Sequence, residues 1–116
     1  MLIETLVYKI LSAADHARAV ELGHTDTDLD ARDGYVHLST RDQVGETLSL
    51  HYAGQSGVHL YEFVAERLGG EVKWEESRGG QLFPHLYHTL RLSEAKRHWA
   101  LAADEAGNPV LPEALR

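Results

Sequence analysis

The chain has 116 residues, 43% of them hydrophobic and 25% charged, with a formal net charge of −7 and no cysteine. This length and composition predict one folded globular domain spanning residues 1–116. The acidic charge argues against nucleic acid as a partner, and the lack of cysteine excludes disulfides, thiolate metal ligands and a cysteine nucleophile.

No targeting or membrane-spanning segment is predicted in the first residues. The opening run MLIETLVYKIL is apolar, but Glu4 and Lys9 interrupt it, and it is far shorter than a membrane span. It also lacks the cleavage site of a signal peptide. These features predict a cytoplasmic protein. Within the run, residues 6–11 alternate as a strand does.

A helix and an acidic loop are predicted next. Ser12 followed three residues later by Asp15 approximates a capping box, and helical spacing of small and apolar residues continues to Gly23, which predicts a helix over 13–22. The segment HTDTDLDARDG, residues 24–34, has four aspartates and little apolar content. We interpret it as a surface loop that leads into a strand over 34–39.

The rest of the chain mixes short strands with one more helix. Ser39 or Thr40 would cap this second helix, which glycines end near residue 54. Strands are predicted over 58–64, 71–76 and 87–92, residues 94–102 fit either helix or strand, and 104–112 reads as a turn with an extended tail. Because strands and helices do not alternate strictly, we predict an α+β fold with an antiparallel sheet and two main helices.

A polar row on the strand predicted over 34–39 is the first candidate site. In the stretch DGYVHLST, alternation points Val36 and Leu38 to one face. The other face carries Tyr35, His37 and Ser39. An imidazole on a rigid strand can exchange hydrogen bonds near neutral pH, so this row would suit a binding cleft. The alternative is a solvent-facing row, or a sheet histidine whose hydrogen bonds are already satisfied.

The segment WEESRGGQLFPHLY, residues 74–87, is the second candidate. Arg78 beside Gly79 and Gly80 could place a guanidinium and bare backbone amides around a phosphate or carboxylate. Trp74 or Phe83 could stack on a ring of the same ligand. The alternative is that Arg-Gly-Gly forms an ordinary turn and that Trp74 is a core residue.

The HLYH motif admits two interpretations. His85 and His88 could chelate a metal from one helical turn, but Pro84 precedes them and an extended segment would point the two rings to opposite faces, so no metal is expected. If the segment is extended, Phe83, His85 and Tyr87 share a face. This second row could lie opposite the first and form a pocket with it.

Two other kinds of catalytic site are not indicated. A hydrolase built on Ser39 and His37 would need a different arrangement, because both side chains stand on one strand and no Gly-x-Ser-x-Gly elbow is present. Glu75 and Glu76 are adjacent in a predicted strand and face opposite ways, so only one of them could enter a given site. An acid pair is therefore not expected.

Several motifs together resemble a known family. DGYVHLST with Gln43, HYAG at 51–54, WEESRGGQLFPHLYHTL at 74–90 and the opening VYKIL are similar to the small bacterial domain of unknown function 952 family. The resemblance covers nearly the whole chain, and the order of its pieces is specific. One departure is His16, where the family commonly has tryptophan, so one wall of a cleft could differ.

This resemblance implies a fold and a ligand. The family's fold looks like that of the ADP-ribosyltransferases, a split antiparallel sheet that binds NAD in a central cleft. By that likeness, His37 would hydrogen-bond the nicotinamide-side ribose, with Ser39 beside it. His85 or Tyr87 would stack on nicotinamide, and Arg78 would be available to the pyrophosphate.

The resemblance does not supply a catalytic glutamate. Breaking the nicotinamide–ribose bond builds positive charge on the ribose, which a nearby carboxylate would stabilise. Glu75 and Glu76 precede the segment that would stack on nicotinamide. The later glutamates are Glu94, Glu105 and Glu113. Similar RNA 2′-phosphotransferases use histidine and arginine instead, but an acidic chain is poorly suited to RNA.

The sequence therefore predicts a nucleotide-binding domain whose enzymatic activity is open. The expected ligand is NAD or a related nucleotide, with ADP-ribosyl or phosphate transfer as the reaction, and neither a metal nor a membrane partner is expected. The predicted catalytic residues are His37 and His85. The predicted cofactor-binding residues are His37, Ser39, Arg78, Gly79 and Tyr87. The alternative is a non-catalytic ligand-binding or interaction module on the same fold.

Overall fold

Two antiparallel sheets and three α-helices form the structure, a computed structural model that describes residues 3–116. In chain order the elements are β1 (Leu6–Leu11), α1 (Ala13–Leu22), α2 (Asp28–Asp33), β2 (Val36–His37), α3 (Arg41–His51), β3 (His59–Val64), β4 (Glu71–Glu76), β5 (Leu82–Tyr87) and β6 (Arg97–Ala100). Short 3-10 turns join several of them. Within residues 3–116, no helix is long and apolar enough to cross a bilayer.

The strands divide into two sheets of three. The first sheet has the order β1-β3-β6 and the second the order β2-β5-β4, and all pairs are antiparallel. Tyr8 and Ser39 connect the sheets, since each amide donates to the other's carbonyl at 2.8 and 2.9 Å. The predicted α+β fold with a divided antiparallel sheet and two main helices, α1 and α3, is confirmed.

The first sheet is covered on both faces. Alternate residues of β1 and β3 point to opposite sides, so each side acquires its own apolar cluster. On one side, Val7 and Phe63 pack with Ala19 of α1 and Leu86 of β5. On the other side, residues of the same two strands pack against α3 and the C-terminal segment. The second sheet is thereby attached to the first through a shared core.

Both predicted ends of α1 and the predicted start of α3 are confirmed, while α3 ends at His51, before the glycine at 54. The Ser12 hydroxyl accepts a hydrogen bond from the Asp15 amide at 3.1 Å, and Gly23 ends α1 with φ of 82°, a conformation that glycine adopts without steric cost. At α3, the Gln43 side chain accepts a hydrogen bond from the Thr40 amide at 3.0 Å. Local capping signals therefore located both helices correctly.

The acidic segment was wrongly interpreted as loop throughout, because α2 lies within it. Thr27 caps this helix by accepting a hydrogen bond from the Asp30 amide at 3.1 Å, and Gly34 ends it with φ of 82°. Asp30 is buried at 8% exposure. An aspartate that is buried and paired does not contribute to a solvated surface, so the composition of the segment was misleading.

The strand predicted over 87–92 is also wrong in position. The observed strand is β5, which ends at Tyr87 and contains Pro84. Proline disfavours a strand interior because it cannot donate to the ladder. Here the Pro84 carbonyl accepts a hydrogen bond from the Leu38 amide at 3.1 Å, and β2 stops at His37, so the missing donor falls where the β2–β5 ladder ends.

Candidate functional site

A cleft of about 580 Å³ opens where the two sheets meet. Its walls come from β1, the start of α1, the α2 segment, β2, the far end of α3, and β5 with the turn before it. Positive and negative side chains are balanced on these walls. The cations are Lys9, Arg32 and Arg78, and the carboxylates are Asp15, Asp28 and Asp33.

Four of the six predicted site residues line this cleft. They are His37, Ser39, Arg78 and His85. Tyr87 lies beside the cleft rather than on its wall, and Gly79 lies in the turn after Arg78 with φ of 67°. The structure thus brings the early strand and the later segment to one concavity, although Tyr87, which was expected to line it, is not among its lining residues.

The two His/aromatic rows had been expected to face each other across a pocket. In the structure they are instead neighbours in one sheet. β2 pairs with β5 so that His37 is directly opposite His85 in the register. The Leu38–Pro84 pair carries a ladder hydrogen bond, so the His37–His85 pair is of the non-hydrogen-bonded type, whose side chains are closest. The two imidazole centroids are 5.6 Å apart.

Two carboxylates of α2 hold His37. Its Nδ1 is 2.6 Å from Asp30 Oδ1, and its Nε2 is 2.9 Å from Asp33 Oδ2. Each ring nitrogen therefore has a carboxylate as its partner. Neither ring nitrogen of His37 is directed to Ser39.

Asp30 also forms a buried ion pair below the cleft. Its Oδ2 is 2.8 Å from Lys9 Nζ, and both side chains are less than 10% exposed. Lys9 Nζ donates as well to the His37 carbonyl at 3.1 Å. Burial alone would raise the pKa of Asp30, but hydrogen bonds from His37 and Lys9 lower it to about 2, so this carboxylate stays ionised. Burial lowers the pKa of Lys9, and the charge of Asp30 opposes that effect.

His85 has one nitrogen fixed by a carboxylate and one without a hydrogen bond among the described residues. Its Nδ1 is 2.8 Å from Glu75 Oε1, and the Tyr87 hydroxyl donates to the same oxygen at 2.8 Å. Hydrogen bonds from His85 and then from Tyr87 lower the pKa of Glu75. Tyr35 stacks on the His85 ring with a centroid distance of 4.0 Å. The ring is therefore oriented by a carboxylate and by stacking.

Arg78 presents a partly free guanidinium to the cleft. Its Nη2 donates to the Thr47 hydroxyl at 3.2 Å, and its Nε is 3.4 Å from Glu46. The guanidinium lies over the Phe83 ring at 5.0 Å, which holds it against the cleft wall. The Arg78 side chain is 27% exposed, so it keeps donors available for an anion.

Sequence reasoning missed the carboxylates that organise both histidines. Asp30 and Asp33 are three residues apart, a spacing that places them on one side of a helix, but α2 was not predicted. Glu75 reaches His85 only through the β4–β5 register, in which its partner is Phe83. The HLYH motif forms no chelate: His85 faces the cleft, whereas His88 packs against Gly69 and Gly70.

A solved structure of a bacterial protein is closely similar to this chain. Protein CC0527 from Caulobacter crescentus, solved by X-ray crystallography, shares 43% sequence identity with a TM-score of 0.86, over 96% of this chain and 98% of that one. A double mutant of that protein aligns with 42% identity and the same TM-score and coverage. The solution NMR structure of CC0527 aligns at 43% identity with a TM-score of 0.77, over 90% of this chain and 91% of that one.

The family comparison agrees with the resemblance inferred from the motifs. No curated protein matches the chain. Residues 10–98 match the family described as "Protein of unknown function (DUF952)", and this range contains both strands that carry the cleft histidines. The chain therefore belongs to the DUF952 family of proteins of unknown function.

Proposed function

We propose that the cleft binds NAD or a related nucleotide and that His85, oriented by Glu75, acts as the general acid or base in transfer of an ADP-ribosyl or phosphate group. The observation that carries this proposal is the pairing of His85 Nδ1 with Glu75 at 2.8 Å on the wall of a cleft of about 580 Å³. A histidine fixed by a carboxylate through one nitrogen is an arrangement that transfers protons through the other.

The dimensions and donors of the cleft suit such a ligand. Clefts of roughly 300–1,000 Å³ with a few convergent polar groups are typical of small-molecule and cofactor sites. In this proposal, Arg78 contacts the pyrophosphate, because a guanidinium binds phosphate oxygens through two parallel hydrogen bonds. Ser39 and His37 contribute the neighbouring wall. A ligand that reaches Nε2 of His37 has to displace Asp33, whose side chain is 27% exposed.

The proposed transfer uses His85 as a base. In the ADP-ribosyl case, the bond between the ribose C1′ and the nicotinamide nitrogen breaks, and nicotinamide leaves with the bonding electron pair. A hydroxyl or amine of the acceptor forms the new bond to C1′, and its proton passes to Nε2 of His85. Glu75 stabilises the imidazolium that results, because its carboxylate contacts the opposite nitrogen.

The divided antiparallel sheet supports this proposal by analogy. A cleft between two antiparallel sheets is the arrangement that the likeness to ADP-ribosyltransferases implies. A cytoplasmic location, where NAD is available, is part of the same proposal. The net charge of −7 favours a small ligand over RNA as the substrate.

Ligand binding is tested first, without any assumption about turnover. Calorimetry and thermal-shift assays with NAD, ADP-ribose and nicotinamide should show binding of NAD and ADP-ribose. Arg78→Ala should weaken ADP-ribose binding by roughly 10–100-fold, the equivalent of a charge-assisted hydrogen bond, and leave nicotinamide unaffected. Arg18→Ala is the matched control, because Arg18 pairs with Asp26 and does not line the cleft. No response of the wild type to millimolar NAD or ADP-ribose would refute the proposal.

Turnover then separates an enzyme from a binding module. Release of nicotinamide from NAD should fall by about 10²–10⁴-fold in His85→Gln, the usual contribution of a general acid or base. Glu75→Gln should retain binding and lower the rate less than His85→Gln does. If the wild type and both variants bind NAD but release no nicotinamide, the protein is the non-catalytic binding module. One observation favours this alternative: both ring nitrogens of His37 are already paired, with Asp30 and with Asp33.

A further inference from the structure

A second histidine cluster lies outside the cleft. His16 of α1, His59 of β3 and His98 of β6 each place a ring nitrogen within 4.8 Å of the others. His16 stacks on His59 with a centroid distance of 3.4 Å, and His59 Nδ1 is 2.8 Å from His98 Nε2. None of the three lines the cleft. Their convergence therefore has no part in the proposed nucleotide site.

The fold brings these three rings together from distant parts of the chain. The β3–β6 register pairs His59 with Ala100 and Tyr61 with His98, so His59 and His98 are diagonal neighbours on one face of the first sheet. On that face α1 packs against β1 through Val7, Leu11 and Ala19, which brings His16 over the same two strands. The cluster thus depends on helix packing as well as on strand pairing.

We propose that His16, His59 and His98 bind one divalent transition-metal ion, with Zn²⁺ as the best fit, and leave a further coordination position open to water or another ligand. Three imidazoles with an open position form a recognised zinc coordination set. Among hard cations, Mg²⁺ and Ca²⁺ prefer oxygen ligands, and no carboxylate belongs to this group. Because its donors are nitrogen atoms, the site is expected to bind Zn²⁺ in preference to Mg²⁺ and Ca²⁺.

The nitrogen distances are near those of a zinc site, but the stacked His16 and His59 rings have to rotate out of parallel, because a metal ion lies in the plane of the imidazole that binds it. With Zn–N bonds of about 2.05 Å in tetrahedral geometry, neighbouring ligand nitrogens lie about 3.4 Å apart. The contact between His59 and His98 would lengthen by roughly half an ångström, and the most distant pair of nitrogens would close. All three rings are only partly covered or exposed, so rotation about their side-chain torsions is open to them.

The surroundings favour neutral rings, the form that binds metal. Burial lowers the pKa of His16, of His59 and of His98, and the neutral imidazole is the form that binds metal. Tyr61 supplies an outer partner, because its hydroxyl is 2.8 Å from His16 Nε2 and its ring stacks on His98 at 3.9 Å. Such partners orient metal-bound histidines.

Zinc titration of the full chain tests this site. Calorimetry of the chelator-treated protein with ZnCl₂ should show one ion bound per chain, and Co²⁺ should give the visible absorption of a four-coordinate site. His98→Gln, at an exposed position where folding is not at risk, should weaken Zn²⁺ binding by more than about 100-fold, and Tyr61→Phe by about 10-fold as an outer partner. His88→Gln is the matched control, since His88 is exposed and outside the cluster.

The outcomes are decisive in both directions. Loss of zinc binding in His98→Gln with retention in His88→Gln supports the site, and a parallel loss in His16→Gln assigns the ligand from α1. Absence of zinc binding by the wild type at micromolar concentration overturns the proposal, as does equal binding by the wild type and His98→Gln. Because NAD binding is measured separately with Arg78→Ala, failure of one site is distinguishable from failure of the other.

Discussion

The buried pair of Lys9 and Asp30 predicts a strong, non-additive effect on stability. Asp30→Asn removes the carboxylate that accepts hydrogen bonds from Lys9 Nζ, from the His37 ring and from the His37 amide. Lys9 is only 5% exposed, so the substitution leaves an ammonium without a counter-ion inside the protein. Breaking a buried pair in this way costs about 3–5 kcal/mol of unfolding free energy.

The size of the expected change follows from the length of the chain. With 116 residues, the unfolding entropy near the midpoint is about 0.24 kcal/mol/K, so the loss lowers Tm by about 12–20 °C. Urea denaturation followed by tryptophan fluorescence and by far-UV circular dichroism measures the same free energy. The slope with urea should stay unchanged if the native fold is retained.

A double-mutant cycle isolates the pair. In the Lys9→Met background no buried ammonium is left without a counter-ion, so Asp30→Asn should lower the free energy of unfolding by about 2–3 kcal/mol less than it does in the wild type. The argument would be refuted if Asp30→Asn cost the same in both backgrounds, within about 0.5 kcal/mol. In that case the two side chains would contribute independently and the buried charge would not be the cause.

Two further predictions concern acid stability and glycine packing. The pKa of Asp30 is lowered from 3.8 to about 2 in the folded chain, so its full contribution to the free energy of unfolding is present above pH 3.8. About 2 kcal/mol of this free energy is lost as the pH falls from 3.8 to about 2. Asp30→Asn should therefore flatten this part of a series of urea denaturations measured at different pH values. Gly70→Ala should lower stability by about 1–3 kcal/mol, because the added Cβ overlaps the His88 Cβ, whereas Gly45→Ala within α3 meets only Leu111 at 3.5 Å and should raise stability by up to about 1 kcal/mol in the same denaturation assay.

Local signals in the sequence were sufficient for β1, for α1 and for the start of α3. The bounds of β1 and α1 follow from alternation and from Ser12 and Gly23, which act within a few residues of each other. α2 escaped prediction because its acidic composition resembles that of a loop, although Thr27 is a proper cap. β5 was displaced because Pro84 argues against a strand unless the neighbouring ladder is known to end there.

The sequence predicted which side chains of the candidate site share a face of their strand, but not which residues of other elements lie next to them. Alternation correctly placed His37 and Ser39 opposite Val36 and Leu38, whose burial is confirmed. The proximity of His37 to His85 depends on the pairing of β2 with β5, which the spacing of the two residues in the chain does not reveal. The same is true of His16, since the cluster that contains it requires α1, β3 and β6 together.

Pro84 has a consequence for the shape of the whole molecule. A residue with an amide hydrogen at this position could donate to the Leu38 carbonyl and prolong the pairing of β2 along β5. Instead, Leu38 makes one hydrogen bond to β5, through its amide, and the next residue, Ser39, pairs with Tyr8 of the first sheet. The imino nitrogen of Pro84 therefore coincides with the point where the chain leaves the second sheet for the first, and the two residues that make this crossing, Leu38 and Ser39, both line the cleft.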